Sequence, residues 1–367
     1  MAKNDQSGVT LQADAVEVRW SSGSVTTLPN LWLRDNCSCA ECRFPQTSEK
    51  IFLVGSVAVD LQPSDVLLHD DELRVTWPDG HFSCYTAADI CEFDSRAPTG
   101  WAPWSIDFQP PGIDYQSFLD DDRLAARVLA DFLQDGVCIL ENASARPGTI
   151  EELAPRLGPV REVLFDRIHD VEVYPDGYNV AHTALEVPPH NDFASYAWPP
   201  SLQALHMLVN DTPGGESTVV DGWKLLHEFR REHPVFFEIL CTMPVAFRQF
   251  DAENETYALA PLVRCDTNGE ITGFRFSNQL MQRMNPEKPG VGEFYKAYHE
   301  LCRRVTDPAK KVTFRLLTGE ILLVAGHRVL HGRNRFEPVA RRHLQDAYFE
   351  LDNVRGHLVV LQRKRGE

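Results

Sequence analysis

Apolar and polar positions alternate in short runs over the first quarter of the chain. The stretches "AVEVRW" (15–20), "IFLVGSVAV" (51–59) and "ELRVTWPDGH" (72–81) are rich in β-branched and aromatic residues and broken by Gly, Asp and Pro, the pattern of strands closed by turns. They predict a small β-rich unit over residues 1–95. Between Arg96 and Gly112 the periodicity fades and Pro and Gly concentrate, so residues 96–113 read as a linker. From there the period lengthens. In "DDDRLAARVLADFLQDG" (120–136), Leu124, Val128, Leu129, Phe132 and Leu133 fall on one helical stripe, with acidic residues at its start and Gly136 at its end, which predicts a helix.

Beyond that helix, "VCIL", "LQALHMLVN", "STVVD", "GEILLVAG" and "LQDAYFEL" read as strands, and "GWKLLHEFRREH" and "GEFYKAYHELCRRV" as helices. The strands are short, few of them alternate with helices, and no Gly-rich phosphate loop follows any of them. The expected class is α+β, mainly β: a sandwich or barrel with flanking helices over residues 114–367, in preference to a doubly wound sheet.

Composition narrows the function classes. At 367 residues and 43% hydrophobic, the chain can bury a large core. No window reaches the roughly 18 apolar residues of a membrane span, and "MAKNDQSGVTLQADAVEV" lacks the basic-then-apolar order of a signal peptide. A cytoplasmic location is therefore expected. An excess of 53 acidic over 36 basic residues repels a polyanion. The partner expected is a small-molecule substrate, with neither nucleic acid nor membrane, and a homodimer left open.

Two groups of residues carry candidate chemistry. Of nine cysteines, Cys84, Cys91, Cys138, Cys241, Cys265 and Cys302 are scattered and read as reduced thiols. Cys37, Cys39 and Cys42 crowd into "RDNCSCAEC", where one tight loop can turn three thiolates toward a point. A structural zinc takes four ligands. His81, after the Pro-Asp-Gly turn, is the best fourth, with Cys84 as its competitor. A metal would also staple a unit whose own core is small.

The second group is "HND", His190 to Asp192. A histidine and an aspartate two apart are a weak signal alone. Joined by a distant second histidine they form the 2-His-1-carboxylate triad of non-haem Fe(II) oxygenases, which leaves three coordination positions open. His331, in "RVLHGR", follows a strand-like run, and the pair Arg341-Arg342 opens the next one. A dicarboxylate cosubstrate needs chelation at its keto-acid end and a planar cationic fork at the far carboxylate. The spacing predicts His331 and this arginine pair on neighbouring strands.

At this point the chain resembles the Fe(II)/2-oxoglutarate-dependent dioxygenases of the taurine dioxygenase class, in their γ-butyrobetaine and trimethyllysine dioxygenase branch. "NLWLRDNCSCAEC" with "DGH" looks like that branch's zinc domain, "YNVAHT…HND" with "QALHMLVNDTPGGESTVVDG" like its first metal-ligand region, and "RVLHGR" with "RRHLQDAY" like its second. The resemblance implies a double-stranded β-helix, or jelly roll, preceded by a zinc-binding β domain. It implies His190, Asp192 and His331 as iron ligands, Arg342 as the clamp on 2-oxoglutarate with Ser217 nearby, and Cys37, Cys39, Cys42 and His81 as zinc ligands. The cofactors implied are Fe(II), 2-oxoglutarate, O2 and structural Zn(II), with ascorbate as reductant. Asp221, His327 and His343 read as supporting groups.

The branch holds a trimethylammonium head in an aromatic cage. Phe165 and Tyr348 match aromatic positions and Phe193 follows the aspartate implied as an iron ligand, whereas His169 and His182 stand where γ-butyrobetaine enzymes carry Trp and Tyr. Tyr174, Tyr178, Tyr196 and Trp198 are candidates to fill that gap. Asn179 and Asn278 match amide donors to a substrate carboxylate. The reaction implied is hydroxylation of an unactivated C–H, first of γ-butyrobetaine, giving carnitine. The alternatives are trimethyllysine and 2-(trimethylamino)ethylphosphonate. A non-catalytic metal-binding or sensing protein of the same fold is the competing class, and the simultaneous presence of the triad and the arginine weighs against it.

Overall fold

A computed structural model describes residues 8–91, 100–164, 166–174 and 179–366. The chain divides into two compact units, Met1–Pro98 and Thr99–Glu367.

The first unit carries two antiparallel three-stranded sheets. One is formed by β1 (Gly8–Leu11), β2 (Ala15–Arg19) and β3 (Val25–Pro29), followed by helix α1 (Asn30–Asp35); the other by β4 (Asp65–His69), β5 (Glu72–Thr76) and β6 (Phe82–Thr86), followed by α2 (Ala87–Cys91). Their inward positions, among them Val16, Val18, Trp20, Leu28, Leu73, Val75 and Trp77, make one core with Leu33 of α1. Residues 51–59, expected as a strand, are instead irregular around a single 3-10 turn, Val54–Ser56. The backbone donors that would open such a strand are already used, because Ile51 and Phe52 N–H groups both donate to Cys42 O. Ile51, Leu53 and Val59 are left exposed.

The second unit mixes helices and strands. Its strands are β7 (Gly112–Asp114), β8 (Val137–Glu141), β9 (His169–Val171), β10 (Val187–His190), β11 (Leu202–Asn210), β12 (Ser217–Asp221), the hairpins β13 (Val245–Phe250) with β14 (Glu255–Ala260) and β15 (Val263–Cys265) with β16 (Ile271–Phe274), then β17 (Val312–Phe314), β18 (Ile321–Ala325), β19 (Val329–Arg333) and β20 (Arg342–Phe349). Two larger sheets result, in the orders β7-β8-β18-β11-β20-β9 and β10-β19-β12-β17. They pack on one another through an apolar layer that draws Val137, Val171, Met207, Leu322, Val324 and Leu344 from the first and Val219, Val312 and Val329 from the second.

The outer face of the six-stranded sheet is covered by α3 (Tyr115–Asp120), α4 (Asp122–Asp135), α5 (Ala154–Leu157) and α9 (Leu351–Arg365). The expected helix thus begins again after a break at Asp121, whose carboxylate caps the Arg123 and Leu124 N–H groups. It stops at Gly136, where φ is +79° and the N–H returns to Phe132 O, a left-handed turn that glycine takes without strain. Against the four-stranded sheet lie α6 (Gly222–Glu232), α7 (Pro234–Thr242) and α8 (Val291–Val305), in a core with Val220 and Leu330. In the segment read as linker, Trp104 is buried and stacks on Phe108, and its indole N–H donates to Asp135 O.

His331 and Arg342 do not share neighbouring strands. β19 pairs with β10 and β12, and β20 pairs with β11 and β9, so the loop between them carries the chain from one sheet to the facing one. Period-2 alternation explains why both still face inward. Val329 and Leu344 belong to the layer between the sheets. His331 and Arg333 on one strand, and Arg342, Asp346 and Tyr348 on the other, occupy the same face as these.

Candidate active site

His190 ends β10 and stands opposite His331 in the antiparallel register, with ring centres 4.5 Å apart. Asp192 follows in the turn. Its Oδ1 lies 3.0 Å from His190 Nε2 and its Oδ2 3.8 Å from His331 Nε2, and one ligand atom from each residue falls within 4.8 Å of the others. Adjacent ligands on one metal, at bonds of about 2.1 Å, sit roughly 3 Å apart.

Three local features produce this convergence. Asn191 is pinned outward, its Nδ2 donating to Gly326 O and its Oδ1 accepting from Phe276 N, which turns both flanking ligands to the other side. Phe193 then takes φ +50°, a strained value for an aromatic residue and one common at functional sites. After His331, a Cβ on Gly332 would lie 2.6 Å from Val187 O and 3.0 Å from Pro189 N, so glycine is what lets the two histidine strands close.

The ligand states suit a divalent metal. His190 Nδ1–H donates to Pro188 O at 2.9 Å, which fixes the ring with Nε2 toward Asp192. Burial and the neighbouring His190 push His331 down to about 4, a neutral imidazole at pH 7. Burial opposes ionisation of Asp192, but the His331 and His190 rings and the Tyr348 hydroxyl hold its carboxyl well below the usual range. Tyr348 Oη and Gln203 Nε2 reach Asp192 Oδ2 at 2.7 and 2.6 Å, which orients the carboxylate.

Arg342 is buried, and its Nε has no hydrogen-bond partner among the described residues. Burial, with Arg315 nearby, lowers it to about 10, so it stays charged at neutral pH. Arg333 is also buried, but its guanidinium already donates to Ala181, Thr183 and Leu185 carbonyls. Neither arginine forms an ion pair with a carboxylate among the described residues. Ser217 lies across from Arg333 in register. Arg341, the other member of the basic pair, turns outward to Glu172.

Beside His190 and Asp192 a cavity of about 90 Å³ opens, lined also by His169, Asn179, Phe193, Gln249, Asp346 and Tyr348. Phe193 meets Tyr348 edge-on at 5.0 Å. His169 lies 5.4 Å from His182, which meets Tyr174 edge-on at 5.0 Å. Burial and His169 push His182 down to about 4. The Asn179 side-chain Oδ1 accepts from Ala181 N. Asn278 does not line the cavity: it is exposed and accepts from the Tyr298 hydroxyl, while its neighbour Ser277 does line it. Trp198 is exposed over Arg264. Phe165 and Tyr178 lie outside the described residues.

Sequence reasoning passed over Gln203, Gln249, Ser277 and Asp346. Gln203 and Asp346 were within reach of it, as polar residues on the same period-2 face as the apolar Leu205 and Met207 on β11 and Leu344 on β20. Asp221, His327 and His343 are occupied elsewhere: Asp221 pairs with buried Arg328 at 2.9 Å, His327 Nε2 contacts Pro199 O, and His343 sits between Asp170 and Glu172.

In the first unit, His81 Nε2 lies 3.3, 3.8 and 3.5 Å from the sulfurs of Cys37, Cys39 and Cys42. Cys84 is not in this group. Tetrahedral zinc with S and N bonds of about 2.3 and 2.0 Å would separate those atoms by roughly 3.6 Å. Arg34 Nη1 donates to Cys42 Sγ at 3.3 Å, and Glu41 stands 3.4 Å from the outer His81 nitrogen. No helix among the described residues is long and apolar enough to cross a membrane.

Comparison with known proteins agrees with this geometry. Residues 9–90 match the model of the gamma-butyrobetaine hydroxylase-like N-terminal domain. The chain is 33% identical over 363 residues to the gamma-butyrobetaine dioxygenase of Pseudomonas sp. (strain AK-1), covering 96% of this chain and 94% of that protein. It is 26% identical over 369 residues to the gamma-butyrobetaine dioxygenase of Homo sapiens, covering 96% and 95%. Among solved structures, a putative alpha-ketoglutarate-dependent taurine dioxygenase from Burkholderia xenovorans shares the fold, with a TM-score of 0.51 at 14% identity over 68% of this chain and 91% of that one. Residues 95–348 match the model of the taurine catabolism dioxygenase TauD, TfdA family, and the chain belongs to that family of dioxygenases.

Proposed function

We propose that the protein hydroxylates γ-butyrobetaine, or a close quaternary-ammonium analogue, at an unactivated C–H with Fe(II), 2-oxoglutarate and O2. The observation that carries this reading is the convergence of one ligand atom each from His190, Asp192 and His331 within 4.8 Å of one another; Arg342, a buried cation that no described carboxylate neutralises, supports it. The ligand set fits Fe(II): the two imidazoles and one carboxylate would hold the ion and would leave positions on it for a chelating cosubstrate. When bound, the metal supplies the oxidising chemistry. The chain's own residues do the rest. Arg342 receives the far carboxylate of 2-oxoglutarate, with Ser217 offered from β12 of the facing sheet. Tyr348 and Gln203 hold Asp192. Phe193 and Tyr348 offer ring faces to a cationic head, and Asn179, Gln249 and Ser277 line the cavity where a substrate carboxylate would be met.

The two facing sheets fit a double-stranded β-helix. The Cys37, Cys39, Cys42 and His81 separations fit a closed structural zinc site in a domain of its own, and ascorbate would serve as reductant. The test is succinate formation from 2-oxoglutarate with added Fe(II) and ascorbate. γ-Butyrobetaine should stimulate it strongly, and trimethyllysine and 2-(trimethylamino)ethylphosphonate should do so less. Stimulation by none of the three would remove the substrate assignment. Absence of any 2-oxoglutarate turnover would favour a non-catalytic binding protein.

A further inference from the structure

Arg275 follows β16 and directs its guanidinium at the turn that carries Asp192. Nη1 donates to Ala194 O at 2.5 Å and to Tyr196 O at 2.6 Å, and Nη2 donates to Ala197 O at 2.9 Å. None of these three carbonyls has another backbone donor among the described residues. The side chain is half-buried, and burial with Arg264 nearby lowers it to about 10, so it is charged at neutral pH. Its side-chain hydrogen bonds thus go to carbonyls rather than to a carboxylate, and each is strengthened by the charge. A planar fork can serve three acceptors at once, which the point charge of lysine does less well.

The next residue holds the other side of Asp192. Asn191 N–H donates to Phe276 O at 2.7 Å, and Phe276 N–H returns to Asn191 Oδ1 at 2.8 Å. The strap from Phe274 to Phe276 is itself tied down, because Phe274 N–H donates to His327 O and Arg275 N–H to Leu262 O. Asp192 and Phe193 therefore lie between two anchors set by consecutive residues. Phe193 takes φ +50° there, a conformation that an aromatic residue leaves unless its surroundings fix it. Tyr348 and Gln203 grip the Asp192 carboxylate itself; Arg275 acts one step back, on the backbone that aims it. On the reading of His190, Asp192 and His331 as iron ligands, on which this inference rests, the course of that turn decides where the carboxylate meets the metal. We infer that Arg275 is a positioning residue of the iron site: by gripping the Ala194, Tyr196 and Ala197 carbonyls it holds the strained turn that presents Asp192 to the metal and Phe193 to the substrate cavity.

Arg275→Met keeps the apolar stem and removes the donors. Mn(II) affinity of the full chain, stripped of iron, is read from the EPR signal of free Mn(II) at a temperature where near-UV circular dichroism shows the variant folded. It should fall by about tenfold or more, and Arg275→Lys should lie between the variant and the wild type. Steady-state kinetics at saturating Fe(II) gives a second reading. The KM for γ-butyrobetaine should rise about 3- to 10-fold, because Phe193 lines its cavity, while the KM for 2-oxoglutarate stays within about twofold, because Arg342 stands on β20, in a different sheet from the histidine ligands. A residue with a structural role alone would lower the unfolding midpoint and leave the Mn(II) affinity and both KM values of the folded protein as they were, and that result overturns the inference. If γ-butyrobetaine is not a substrate, the Mn(II) titration decides alone. If Arg275→Met does not fold, Arg275→Lys decides in the same way, weaker Mn(II) binding supporting the inference and equal binding overturning it. Should Mn(II) binding by the chain survive His190→Ala, the iron reading itself has failed and the role of Arg275 falls with it.

Discussion

A buried guanidinium that pairs with no carboxylate among the described residues is an unusual expense for a fold, and Arg342 stays charged even with its pKa lowered to about 10. Its planar fork can take two oxygens of one carboxylate, whereas lysine offers a point charge. Arg342→Lys should therefore raise the KM for 2-oxoglutarate by about 5- to 30-fold, a loss of roughly 1–2 kcal/mol, with the affinity for the ammonium substrate nearly unchanged. Steady-state kinetics with each ligand varied in turn checks this, and an unchanged KM for 2-oxoglutarate would shift the clamp to Arg333. At this scale the grouping of His190, Asp192 and His331 was legible, from residue type joined to the family resemblance rather than from spacing alone. The choice of Ser277 over Asn278 was not legible. Adjacent residues in an irregular segment give no periodicity to say which side chain turns inward, and the choice is made by Tyr298 on α8, which holds the Asn278 carbonyl.

Elements were legible where a helical period ran long enough to bury one face, as in α4 and α8, and where a strand was long enough to be buried on both faces, as in β11 and β20. The failures have two physical causes. In residues 51–59 an apolar run had no free backbone donors at its start, because the cysteine loop had taken them. For β19 and β20, sequence proximity suggested adjacency, but a sheet-to-sheet crossover does not announce itself in composition. The helices also carry charge pairs that composition does not reveal. On α8, Glu300 accepts from Arg303 at 2.9 and 2.8 Å and from Arg304 at 2.7 Å, and Arg304 goes on to Glu232 of α6 at 2.7 Å. These contacts, Arg303 first, depress Glu300 to about 2. A depressed carboxyl stabilises the fold fully above its unfolded value of about 4.3 and loses that contribution as pH falls toward its folded value. Glu300→Gln should cost about 1 kcal/mol at pH 7. In urea titrations of the metal-free chain, the gap between wild type and variant should narrow as pH drops from 5 to 3. A gap that is constant with pH would mean that packing, rather than the charge, had been lost.

On the scale of the whole molecule, the two units have separate cores and separate metal-ligand clusters, and they draw on different sources of stability. The second unit buries three apolar clusters. The first has one, and it leaves Ile51, Leu53, Val59 and Leu67 exposed. A unit of that size gains its largest increment from whatever closes the cysteine loop onto His81, since binding there adds directly to folding free energy. Full-chain calorimetry should then resolve two unfolding transitions, and elemental analysis should find close to one zinc per chain that survives removal of iron. Cys39→Ser should abolish that zinc and lower one transition by several degrees, leaving the other transition and Fe(II) binding by His190, Asp192 and His331 as they were. If the pure protein holds no zinc, the four-residue cluster is a reduced thiol group and the first unit stands on its apolar core alone. If Cys39→Ser lowers both transitions together, the units fold as one cooperative body and the zinc supports the active site as well as its own domain.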